Sequence, residues 1–98
     1  MSDDNFGLPV ETLIKIKQCL SAYEAIQWVK VFGSRATGTY RKGSDIDLAY
    51  ASKQDITGRL LTALNGLPTP YQFDVVHYDT LDNARLKAEI DEWGRALV

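Results

Sequence analysis

The chain has 98 residues, 45% of them hydrophobic and 24% charged, with a formal net charge of −2. That length fits a single domain, 1–98, and that balance is ordinary for a globular protein; the mild acidity excludes the basic footprint expected of a protein that grips DNA or RNA. Cys19 is the only cysteine, which excludes an internal disulfide and a cysteine-built zinc site.

Residues 1–7 read as a loose lead. The acidic, polar start Met1-Ser2-Asp3-Asp4-Asn5 lacks the character of a secretory signal, and no apolar run approaches the roughly 20 residues of a membrane span. A cytoplasmic protein with no membrane association is therefore expected. From Pro9, a residue suited to a first helical turn, Leu13, Ile16, Leu20 and Tyr23 recur at helical spacing, which predicts a helix from Pro9 to Tyr23. Gln27 to Phe32 is a short β-branched and aromatic run ending at Gly33, and predicts a strand.

Gly33 to Ser44 has loop character, with room for one helical turn after Ser34. Asp45 to Ala51 alternates carboxylate and aliphatic residues and predicts a second strand. Ser52 and Asp55 have capping-box spacing ahead of an amphipathic helix through Ile56, Leu60, Ala63, Leu64 and Leu67, closed by Asn65-Gly66. After Pro68 and Pro70, Tyr71 to Tyr78 predicts the third strand. Asp79 is placed to cap a last helix reaching about Trp93, and Arg95 to Val98 can add an edge strand.

The chemistry-bearing pattern is Gly33-Ser34-Arg35-Ala36-Thr37-Gly38 followed by Asp45-Ile46-Asp47. Strand side chains alternate, so Asp45 and Asp47 point the same way while Ile46 and Leu48 face the core. Two adjacent carboxylates repel one another unless one is protonated or a cation sits between them. Magnesium, which takes one or two carboxylates plus substrate phosphates, answers that need. Gly33 and Ser34 follow the first strand at a turn where backbone can approach phosphate. Asp74, set among Phe73, Val75 and Val76, is costly in a strand unless it is paired or metal-bound. Beside the second strand it would join Asp45 and Asp47 as a third ligand. The reaction expected of such a site is attack by a hydroxyl on the α-phosphorus of a nucleoside triphosphate, with pyrophosphate released.

The other polar residues carry weaker signals. Gly38 reads as a turn glycine. Arg35, Arg41 and Lys42 either steer the triphosphate or belong to a solvated loop. Ser44 reads as support for the strand entry, with nucleotide contact as the second reading. His77 falls on the strand side opposite Asp74 and reads as a packed histidine. Trp28, Tyr40, Tyr71 and Trp93 read as core or partner contacts.

Gly33-Ser34-Arg35-Ala36-x-Gly38, Ser44-Asp45-Ile46-Asp47-Leu48 and Phe73-Asp74-Val75-Val76 resemble the signature of the minimal nucleotidyltransferases of the polymerase-β superfamily. The resemblance implies an α+β fold, a short mixed β-sheet with helices packed on one face. It implies catalytic and metal-binding Asp45, Asp47 and Asp74, nucleotide-binding Gly33, Ser34, Ser44 and Arg35, and magnesium as cofactor. It also implies transfer of a nucleoside monophosphate, AMP foremost, from ATP or another NTP to a hydroxyl. Small proteins of this kind pair with helical HEPN-domain toxins and modify them as antitoxins. A HEPN partner is thus expected, and association with a second copy is a further option. The rival readings are a catalytically silent module that restrains the same partner by contact, and a drug-modifying transferase. The absence of an acceptor-gripping domain weighs against the last.

Overall fold

The computed structural model describes residues 5–98. Helix α1 (Val10–Ser21) leads into strand β1 (Ile26–Phe32), then a short helix α2 (Ser34–Thr37) and strand β2 (Ile46–Ser52). Helix α3 (Thr57–Asn65), strand β3 (Phe73–His77), a 3-10 turn (Tyr78–Thr80), helix α4 (Ala84–Trp93) and strand β4 (Arg95–Ala96) complete the chain.

The strands form one mixed sheet in the order β3-β2-β1-β4. β1 pairs antiparallel with β2 and with β4, whereas β2 and β3 run parallel. A parallel pair needs a crossover, and α3 supplies it. Alternation along the strands then divides the side chains between two faces. Val29, Val31, Ile46, Leu48, Tyr50, Phe73 and Val75 pack on Ile16 and Leu20 of α1 and Leu60 and Leu64 of α3. Phe32 and Ala49 face the other way and meet Ile90 of α4, flanked by Trp28, Val76, Tyr78 and Leu86. The expected α+β mixed sheet is present, with one addition. α1 and α3 build the larger core on one face, and α4 covers part of the second.

Several boundaries differ for identifiable reasons. α1 stops two residues early because Ala22 and Tyr23 turn back onto Cys19 and Leu20. The Ser52–Asp55 pair makes no capping box. Ser52 Oγ accepts from the Gln54 amide at 3.2 Å, while Asp55 accepts from the Thr57 amide at 3.0 Å and so opens α3. Asp79 does not cap α4: it accepts from the Ser52 amide at 3.0 Å, and the 3-10 turn delays the helix until Asn83 caps it through the Leu86 amide. Phe6, expected in a loose lead, is 4% exposed and belongs to the core. Residues 1–4 of that lead lie outside the described residues.

Candidate nucleotide and metal site

The site begins where β1 ends. Gly33 has φ 74° and ψ −153°, a conformation essentially reserved for glycine, and it turns the chain from β1 into α2. Phe32 is the register partner of Asp47, so the turn falls directly beside that carboxylate. A Cβ built on Gly33 would lie 2.5 Å from Asp47 Oδ2. Glycine at 33 therefore answers both a backbone requirement and a contact with the acid. Gly38, at φ 82°, closes α2 in the left-handed region and has open space around it, as a turn glycine does.

Asp47 and Asp74 are register partners across the parallel β2–β3 pair. Both stand on the face that carries Phe32, Ala49 and Val76, and α4 packs on that face. Asp45 precedes β2 and is exposed, Asp47 is half-buried, and Asp74 is exposed. The Asp47 carboxyl is pushed up from 3.8 to about 6, first by burial and then by the charges of Asp74, Asp45 and Glu89. The three aspartates singled out by their spacing thus share one electrostatic neighbourhood, centred on Asp47. Glu89 of α4 belongs to it as well. Its sequence signal was weak, a single acid one position before the core-facing Ile90, and nothing in the primary structure tied it to the aspartates.

Among the described residues, no three acids converge as a ready-made metal cage. Asp47 is raised first by burial and only then by the neighbouring carboxylates, a combination that a cation would relieve. The donor set is all oxygen and anionic, which suits a hard divalent cation.

The remaining expected residues separate into two groups. Ser34 is half-buried and opens α2 beside the Gly33 turn. Arg35 is placed differently from expectation. It is 3% exposed, its Nε and Nη2 donate to the Ser44 carbonyl at 3.2 and 2.9 Å, and its Nη1 donates to the Phe6 carbonyl at 3.0 Å. The rings of Tyr40 and Tyr71 lie 5.0 and 5.1 Å from its Cζ. The guanidinium is spent on holding the loop to the lead segment, so it neither steers phosphate nor faces solvent. Ser44 is a support: its hydroxyl accepts from the Arg41 amide at 2.8 Å and closes the turn before Asp45. Arg41 and Lys42 are exposed.

His77 is buried against Tyr50, with Nε2 2.6 Å from the Ser52 carbonyl and Nδ1 3.0 Å from Thr80 Oγ1. It lies on the opposite side of the sheet from Asp74, a packed histidine. A groove of about 560 Å³ opens at the Gly33 turn, with none of the three aspartates in its lining. Gly33, Ser34, Thr37 and Thr39 form one wall, and Arg85, Ala88, Glu89, Glu92 and Trp93 of α4 form the other.

The comparisons with known proteins agree with this geometry. The family model described as polymerase beta, nucleotidyltransferase, matches residues 14–98. A crystal structure of a toxin–antitoxin with AMP-PNP superimposes at a TM-score of 0.73, with 24% identity over 88% of this chain and 72% of that chain. The tri-AMPylated Shewanella oneidensis HEPN toxin in complex with MNT antitoxin gives 0.67, with 20% identity over 90% and 70% of the two chains. At such identities these two likenesses concern the fold. A structure assigned as a minimal nucleotidyltransferase is nearer in sequence, at 32% identity over 91% of this chain and 96% of that one, with a TM-score of 0.67. No curated protein matches the chain. With its glycine turn set against the acids and the family match spanning nearly all of its length, the chain belongs to the polymerase-β nucleotidyltransferase family.

Proposed function

We propose that this chain is a magnesium-dependent nucleotidyltransferase that transfers AMP from ATP to a hydroxyl group on a HEPN-domain toxin, acting as its antitoxin. The observation that carries the reading is the position of Asp47, between the Gly33 turn on one side and Asp74 on the other. A strand-to-helix turn set beside paired carboxylates suits a metal-bound triphosphate.

Asp45, Asp47 and Asp74 would hold the magnesium. When bound, it supplies charge neutralisation for the triphosphate and a lowered pKa for the attacking hydroxyl. The side chains and backbone around it do the rest. Gly33, lacking a side chain, lets the Asp47 carboxylate lie against the turn, and the Ser34 hydroxyl at the start of α2 offers phosphate oxygens a donor. Asp74, exposed at the edge strand, is the carboxylate best placed to take a proton from an incoming acceptor. The Arg35 clasp keeps the 33–44 loop in register with β2, so that Asp45 stays beside Asp47. The HEPN acceptor is supported by the solved relatives, two of which are toxin–antitoxin assemblies.

The test is labelling. Purified chain, magnesium, ATP labelled on the α-phosphate and a cognate HEPN-domain toxin should give a labelled toxin, whereas γ-labelled ATP should give none. Toxin neutralised without label would identify a silent binding module instead.

A further inference from the structure

Trp93 ends α4 with 54% of its surface exposed, although Ile90, three positions earlier, is fully buried. It lines the groove that also holds Gly33 and Ser34. Glu89 marks the acidic end of that groove on α4, since its charge reaches Asp47, and Asp47 in turn touches the Gly33 turn. Trp93 stands four residues further on, about 6 Å along the helix axis at the usual rise. A ribose bridges such a step between phosphate and base.

We propose that Trp93 is the platform on which the nucleobase of the bound nucleoside triphosphate stacks, an inference that rests on the nucleotidyltransferase reading. Charge assigns the two ends of the ligand. On the α4 wall Glu89 and Glu92 outnumber the single cation Arg85, which lies at the end remote from Trp93, so the phosphates belong nearer the Gly33–Ser34 wall and the uncharged base nearer Trp93. An indole face accepts any base by stacking, and Glu92 beside it offers an acceptor to a base carrying an amino group. The groove, at about 560 Å³, is within the range that small-molecule ligands fill.

The experiment compares ATP with inorganic triphosphate, each with magnesium, by calorimetry on the wild-type chain and on the Trp93→Phe and Trp93→Ala variants. The expected result is an ATP dissociation constant raised about 5- to 100-fold in Trp93→Ala, near wild type in Trp93→Phe, and unchanged triphosphate binding in all three. Unchanged ATP affinity in Trp93→Ala overturns the proposal, as does an equal loss of both ligands, which would make Trp93 a structural residue. A wild-type chain that binds triphosphate as tightly as ATP overturns the platform and leaves the phosphate site standing. One that binds neither ligand overturns the underlying functional reading along with it.

Discussion

Gly33 and Asp47 meet closely: a Cβ at position 33 would lie 2.5 Å from Asp47 Oδ2, so a side chain there requires the carboxylate to shift. The backbone at Gly33, with φ 74° and ψ −153°, independently demands glycine. Gly33→Ala therefore carries strain on the order of 1–3 kcal/mol and displaces the carboxylate. The melting temperature should fall by at least roughly 4 °C, and magnesium–ATP binding should weaken. A calorimetric scan and a titration read both effects, and an alanine variant with unchanged values would contradict the described contact.

The Asp47 carboxyl has its ordinary value of 3.8 in the unfolded chain and is pushed up to about 6 in the folded one, by burial and by Asp74, Asp45 and Glu89. Between those values the folded protein keeps a proton that the unfolded chain releases. The stabilising contribution is thus fully present at low pH and is lost as pH rises through about 6. Asp47→Asn removes the penalty. In chelator at about pH 7.5 it should gain on the order of 1 kcal/mol, a figure already discounted for the side chain's exposure. The melting temperature would rise by roughly 4–8 °C. That gain should vanish towards about pH 4. A destabilised Asp47→Asn at neutral pH would mean that the carboxylate makes structural bonds.

Arg35 is the residue whose role was least visible beforehand. Its type and loop position are those of a phosphate ligand, and only the fold reveals that Phe6 and Ser44 supply the carbonyls it binds. Arg35→Met removes all three hydrogen bonds of the buried guanidinium and should cost about 1.5–3 kcal/mol. Arg35→Lys should restore little, because an ammonium lacks the planar fork that reaches both carbonyls. Full stability in either variant, measured by denaturant unfolding, would remove the clasp from the account.

Asp79 and Asn83 offer a similar contrast at the start of α4. Asn83→Ala should cost about 1 kcal/mol through loss of the helix cap, whereas Asp79→Ala should loosen the end of β2 at Ser52. Amide hydrogen exchange separates them, with faster exchange in α4 for the first variant and around Ser52 for the second. Identical exchange patterns would contradict the assignment.

The legible part of the molecule was that governed by short periods. Asp45, Asp47 and Asp74 were readable because strand alternation fixes the side on which each lies, and the glycine of the turn because a strand stops at it. Helices α1, α3 and α4 and strands β1, β2 and β3 each had a local signal, whereas α2 was expected only as room for one turn after Ser34, and the pairing of Arg95–Ala96 with β1 is a long-range choice. Glu89, the Arg35 clasp and the exposed Trp93 depend on how α4 and the lead segment dock, which no local pattern encodes. Asp79 misled because it lies within the 3-10 turn Tyr78–Thr80, and α4 starts only at Ala84.

The central claim is that the three aspartates act together on a nucleoside triphosphate. Its most direct measurement is transfer of label from α-labelled ATP to the HEPN partner by the wild-type chain and by Asp45→Asn, Asp47→Asn and Asp74→Asn, each confirmed as folded by thermal melting. The account predicts magnesium-dependent labelling by the wild type and loss of at least about 100-fold in each variant. Labelling that persists in the Asp47→Asn protein would contradict it.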